Sequence, residues 1–159
     1  MLFEEKIDQL KRKFSPADFK VPFVDGTRVL KSIEKEFIFM KDIKTDLNNL
    51  GQHCNNWADN IKDKIEIKSV DISSYSQWLD KLDKNTNYWA VLAYSRSPST
   101  RHLVYDCKPI AISSLISITQ DDFFIIDKKY KWFSYFQIDR KNKRIQIYKG
   151  GKKMTPFET

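Results

Sequence analysis

Tyr88-Trp89-Ala90-Val91-Leu92-Ala93-Tyr94 is a run with no charged side chain on either face, and Phe123-Phe124-Ile125-Ile126 repeats the pattern. A strand that is apolar on both faces belongs in the middle of a sheet, with a covering layer on each side. Those runs therefore demand helices from elsewhere in the chain, and the first half has the periodicity to supply them.

Phe3, Ile7, Leu10 and Phe14 fall at helical spacing, with charged residues on the opposite face. Ser15-Pro16-Ala17-Asp18 offers a cap, a proline at the first helical position and an acid, which predicts a short second turn of helix. Val29, Leu30, Ile33, Phe37 and Met40 predict a second long helix opening near Asp25 or Thr27. Leu47, Leu50, Cys54, Trp57, Ala58, Ile61 and Ile65 predict a third, capped by Thr45 or Asp46. Tyr75, Trp78, Leu79 and Leu82 predict a fourth, capped by Ser73 or Ser74, and Ile65–Val70 reads as a short strand.

Beyond residue 87 the period changes. Tyr88–Tyr94, His102–Asp106, Phe123–Ile126, Trp132–Ile138 and Arg144–Tyr148 read as five strands, with a short helix inserted at Pro109–Ser117. In the last of them Ile145 and Ile147 alternate with Arg144, Gln146 and Tyr148, the pattern of an edge or half-exposed strand. The expected architecture is α+β: N-terminal helices packed on a mainly antiparallel C-terminal sheet of about five strands with one short inserted helix. It forms a single domain over 1–159, with a helical half over 1–84, a sheet half over 87–150 and a frayed tail over 151–159.

Charge is distributed unevenly. Residues 1–126 hold 18 Lys and Arg against 18 Asp and Glu, whereas residues 127–153 hold ten basic residues against only Asp127 and Asp139. The whole excess thus lies in a C-terminal segment that also carries Tyr130, Trp132, Phe133, Tyr135, Phe136 and Tyr148. Aromatics with Arg supply most of the energy at protein interfaces, and basic residues with aromatic faces also suit unpaired nucleic acid. The candidate partner-binding residues are Trp132, Tyr135, Arg140, Lys141, Lys143, Arg144 and Tyr148. A second candidate surface is the amide-rich outer face of the third helix, with Asn48, Asn49, Gln52, His53 and Asn56. The Ser95–Arg101 loop, hydroxyl-rich and doubly basic, reads as a connection.

Catalytic signals are poor. A Cys–His site needs the thiol beside the base, yet His53 and Cys54 point about 100° apart on a helix. His102 and Cys107, an odd number of positions apart on a strand, face opposite sides. No CxxC, HxxxH or HExxH pattern gathers metal ligands, and the chain's 4 glycines include no phosphate-cradling cluster. Neither cofactor nor metal is expected. The acidic N-terminal residues Glu4 and Glu5 are unlike a signal peptide, and no stretch has the length of a membrane span, so a cytoplasmic protein with no membrane partner is expected. Cys54 and Cys107 are expected as free buried thiols.

The run from Tyr88-Trp89 through Val104-Tyr105-Asp106-Cys107 to Phe123–Tyr135, with Asp127-Lys128-Lys129-Tyr130-Lys131-Trp132 at its centre, resembles small bacterial α+β proteins. Among those are proteins similar to the immunity proteins of toxin–immunity systems. The resemblance covers the second half of the chain and is carried by strand and turn residues. It implies a compact, cytoplasmic, non-catalytic protein that neutralises a toxin by direct contact. The basic hairpin departs from the acidic surface of inhibitors of nuclease toxins, so the implied partner is a toxin with an acidic surface. The alternatives from other classes are a nucleic-acid-binding module that uses the basic aromatic hairpin and a small enzyme with a Cys/His site.

Overall fold

The computed structural model describes residues 2–20, 26–41, 50–94 and 102–158, with backbone alone at 50–52. In chain order the elements are α1 (Phe3–Lys13), β1 (Phe19–Lys20), α2 (Gly26–Phe37), a 3-10 helix (Leu50–Trp57), β2 (Ile65–Asp71), α3 (Tyr75–Leu79) and β3 (Tyr88–Leu92). They continue with β4 (Val104–Cys107), α4 (Pro109–Thr119), β5 (Phe123–Ile126), β6 (Phe133–Asp139) and β7 (Arg144–Gly150). Among the described residues, no helix is long and apolar enough to cross a membrane.

The α+β class holds, but among the described residues the sheet has 7 strands, in the order β1-β4-β3-β5-β6-β7-β2, rather than about five. Every strand pair is antiparallel. The two further strands come from the helical half and flank the five, β1 beside β4 and β2 beside β7. Both outer strands are blunted, β1 by its 2-residue length and β2 by a register shift between Glu66 and Lys68. As a result β7 is an internal strand, not an edge.

The strands β3 and β5 are covered on both faces, as their composition requires. On one face Ala90, Leu92, Phe123, Ile125, Phe136 and Ile147 pack against α1, α4 and the segment around Leu79 and Leu82. On the other, Val91, Val104, Phe124, Phe133 and Tyr135 pack against Val29, Ile33 and Phe37 of α2 and Trp57 of the 3-10 helix. The helical layer is therefore split across the sheet.

Several helical expectations change. The Leu47–Ile65 stripe is not one helix. Within its described part, Cys54 and Trp57 are buried by the 3-10 helix, Ile61 bridges to Ile38, and Ile65 opens β2 at 54% exposure. Residues three apart eclipse in a 3-10 helix, so Cys54 and Trp57 share a face without α geometry. The expected caps Thr45, Asp46 and Asp25 lie outside the described residues. Ser15–Asp18 forms a turn, with Asp18 N–H donating to Ser15 O at 3.0 Å, and leads into β1 instead of a helix. Ser74 holds the N-cap position of α3 as expected, without a side-chain hydrogen bond. Asp71 caps the 3-10 turn Ile72–Ser74, its carboxylate accepting from Ser73 N–H at 2.9 Å.

The expected frayed tail is docked. Phe157 is fully buried, edge-on to Trp132 at 6.0 Å and to Phe136 at 5.1 Å. Glu158 bridges to Lys149 of β7 at 2.8 Å. One aromatic ring inserted into the core fixes a segment whose sequence shows no period.

At the end of β7 the chain passes so close to Ile61 that a Cβ on Gly150 would sit 2.6 Å from Ile61 Cγ2 and 3.0 Å from Phe133 Cδ1. Gly150→Ala is therefore expected to cost about 1–3 kcal/mol through overpacking, read as a lower urea midpoint with an unchanged m-value.

Candidate partner-binding surface

The turn between β6 and β7 is built by its own side chains. Asp139 accepts from Asn142 N–H at 3.1 Å and from Asn142 Nδ2 at 2.8 Å. These side-chain and backbone hydrogen bonds hold its carboxyl below the usual range. Lys143 closes the turn at φ 54°, a left-handed conformation. The result is a fixed loop with Arg140, Lys141, Asn142 and Lys143 exposed.

The four basic residues there do different things. Arg140 donates to Gln120 O and lies 3.5 Å from Asp121 Oδ1, tying the turn to the end of α4. Arg144 reaches over β2 to bond Ser69 O and, at 3.2 Å, Ser69 Oγ. Ile72 N–H donates to Lys143 O, so by the antiparallel alternation Ser69 turns its backbone groups away from β7. Arg144 thus caps an outward carbonyl of the edge strand. Lys141 and Lys143 are exposed and make no ion pair among the described residues.

A cleft of about 290 Å³ opens beside the turn, lined among others by Asn55, Tyr94, Gln120, Asp121 and Arg140. A neighbouring concavity of about 490 Å³ lies against Gln137, Lys141 and Gln146. Gln137 and Gln146 connect through the Tyr148 hydroxyl to a polar aromatic network. Tyr135 donates to Asp122 Oδ2 at 2.7 Å, and Ile138 N–H donates to Asp122 Oδ1 at 2.8 Å. Tyr148 stacks on Tyr135 at 5.7 Å, with its hydroxyl 3.3 Å and 3.2 Å from the side-chain oxygens of Gln137 and Gln146. Burial, then the Asp122 charge and hydrogen bond, push the Tyr135 phenol well up, so it stays a donor. Lys64 Nζ lies 4.5 Å from the Tyr148 ring centroid.

The sequence-predicted set is therefore divided. Arg140, Lys141 and Lys143 share the turn; Arg144 and Tyr148 lie half-buried along β7; Tyr135 is core. Trp132 lies at the other end of β6, against Tyr88 at 5.7 Å and Phe157 at 6.0 Å. Seven strand residues separate it from the turn by about 20 Å. The basic hairpin is two basic ends. At the Trp132 end, Lys128 is paired with Asp106 at 2.6 Å and sits 4.8 Å from the Trp89 ring.

No family model, no curated protein and no solved structure matches this chain. The functional reading therefore rests on the surface itself.

The second predicted surface is described only in part, and within that part His53 departs from it. Asn48, Asn49 and the Gln52 side chain lie outside the described residues, as does the Ser95–Arg101 loop. His53 is not on an outer face: its Nε2 sits 2.8 Å from Glu34 Oε2, with 12% of the side chain exposed. Trp57 Nε1–H donates to the same Glu34 oxygen at 2.9 Å. Asn56 is exposed, its carbonyl accepting from Asn60 Nδ2 at 2.7 Å. Gln120, Asp121, Gln137 and Gln146 are the surface residues that sequence reasoning missed. The sheet register brings Gln137 and Gln146 together beside the turn, and the end of α4 brings Gln120 and Asp121 to Arg140.

Both cysteines are fully buried, and burial pushes each thiol well up, reinforced by Glu34 at Cys54 and by Asp106 at Cys107. That is the reverse of the depressed thiolate a Cys nucleophile uses. Phe133, Tyr135 and Phe136 are core, so their faces offer no stacking platform for bases. Among the described residues no three His, Cys, Asp or Glu side chains gather to hold a metal.

Proposed function

We propose that this chain is a non-catalytic binding protein that acts by direct contact with a protein partner through the β6–β7 turn. The observation that carries the reading is Lys141 and Lys143, two exposed cations without an ion pair among the described residues, held on a turn fixed by Asp139 and anchored by Arg140. Preformed loops bind without a large ordering cost, and unpaired cations on them steer an oppositely charged surface into register. The adjoining Gln137, Gln146 and half-buried Tyr148 supply the amide and aromatic contacts that surround such a charge. The partner is accordingly an acidic protein surface. With the resemblance of the second half to immunity proteins, the specific proposal is a cytoplasmic immunity protein that neutralises a cognate bacterial toxin.

Affinity capture from the native host tests it, with the wild type and the Lys141→Glu/Lys143→Glu double variant as baits. The proposal expects a stoichiometric protein partner on the wild type that is lost from the variant. Equal recovery on both baits would remove the turn from the interface. Fluorescence anisotropy with a single-stranded oligonucleotide at low salt is expected to stay flat; binding that weakens steeply with added salt would instead favour a nucleic-acid module.

A further inference from the structure

At the end of the sheet opposite the β6–β7 turn, three chain segments are laced together. Phe39 N–H donates to Asn60 O at 2.7 Å, Lys62 N–H to Phe37 O at 2.8 Å, and Gly151 N–H to Lys62 O at 2.8 Å. Large apolar side chains emerge there into water: Phe39 at 58% exposure, Met40 at 37%, Ile65 at 54% and Met154 at 68%. Each lies within three residues of one of those hydrogen bonds. The same segments, 39–41, 62–66 and 151–154, carry Lys41, Lys62, Lys152 and Lys153 against Asp63 and Glu66. Lys62 Nζ also donates to Lys35 O at 3.0 Å, while the Lys64 ammonium turns back to Ala58 O and the Tyr148 ring. Lys62 Nζ lies 5.9 Å from the Phe39 ring, so charge and apolar surface are interleaved.

We propose that this end of the molecule docks peripherally on an anionic phospholipid surface. Exposed apolar groups rimmed by cations gain from burial in an acyl boundary and from the negative potential of the headgroups together. The charge balance fits an anionic bilayer: every cation on these segments is Lys, and the lysines outnumber the acids. Lysine is a compact point charge suited to a diffuse field, and a fluid surface receives projecting side chains without needing a shaped pocket. Peripheral docking asks for no spanning helix.

Co-sedimentation of the full chain with extruded vesicles tests this. The wild type is expected to pellet with phosphatidylcholine vesicles containing phosphatidylglycerol and to stay in the supernatant with phosphatidylcholine alone. Lys152→Glu/Lys153→Glu is expected to weaken binding by at least about fivefold for each lysine removed. Phe39→Ser/Met154→Ser is expected to weaken it comparably, and Lys141→Glu/Lys143→Glu at the far turn to leave it unchanged. All these sites are exposed, and unchanged thermal unfolding serves as the folding control. Failure of the wild type to pellet with anionic vesicles, or an equal loss from the far-turn variant, would overturn the proposal. A wild type that ignores vesicles but binds poly-L-glutamate through Lys152 and Lys153 would assign this end to an acidic protein instead.

Discussion

Phe157→Ala is expected to destabilise the protein by about 3–5 kcal/mol, the cost of emptying a buried aromatic site. Phe157 has no exposed surface and contacts Trp132 and Phe136 edge-on, so its loss opens a cavity between the tail and β6. For a chain of this size the melting temperature should fall by roughly 10 °C. Met154→Ala, three residues earlier and exposed, should leave it nearly unchanged. A frayed tail would make both substitutions silent. Acid works on the same segment. Burial alone would raise the Glu158 carboxyl, but Lys149 and the Thr155 N–H outweigh it and hold the group below the ordinary range. A depressed folded-state value contributes stability above the unfolded pKa of about 4.3, and that stability is lost as pH falls through the lower folded value. The melting temperature of the wild type should therefore drop more steeply on acidification than that of Glu158→Gln.

Glu34→Ala is the second substitution expected to have a large effect, about 3 kcal/mol by urea unfolding. Glu34 is 7% exposed and is the acceptor for Trp57 Nε1–H, with His53 on the same oxygen. Its removal leaves a buried indole donor unpaired and unlatches the 3-10 helix from α2. Glu34→Gln keeps an oxygen for the indole and should recover most of the loss. If both variants unfold at the wild-type midpoint, the Glu34 latch does not hold the two elements together.

These two sites also mark where sequence reasoning ran out. The strands β3 and β5 were legible because an uncharged run with no solvent face has one place to go. Phe3, Ile7 and Leu10 were legible as the buried stripe of α1 for the converse reason, their spacing leaving a charged face outside. The Leu47–Ile65 stripe misled because a spacing near 3.5 is also met by a 3-10 turn, a bridge residue and a strand start in succession. Its many asparagines, which compete for backbone hydrogen bonds, argue against a long α-helix. His53 was assigned outward on that false helix; no local signal pairs it with Glu34, nineteen positions away. The alternation in β7 was correct, but its place in the sheet depends on β2, whose pairing spans more than seventy residues. Two residues of β1 carry no period at all.

The surface follows the same division. That the positive charge is C-terminal was countable from the sequence. Which cations remain for a partner was not, since Arg140 and Arg144 are spent on Gln120 and Ser69 through contacts set by tertiary structure. Reversing all of the hairpin's basic residues would therefore mix binding with stability, whereas Lys141 and Lys143 make only longer-range attractions to Asp139 and Asp71 and disturb the fold least.

The most direct test is a calorimetric titration of the captured protein partner against the wild type and Lys141→Glu/Lys143→Glu, at low and moderate salt. The double variant should bind at least about tenfold more weakly, with a flatter salt dependence and an unchanged melting temperature. Equal affinity and equal salt dependence in the two proteins would contradict the claim that the β6–β7 turn is the contact surface.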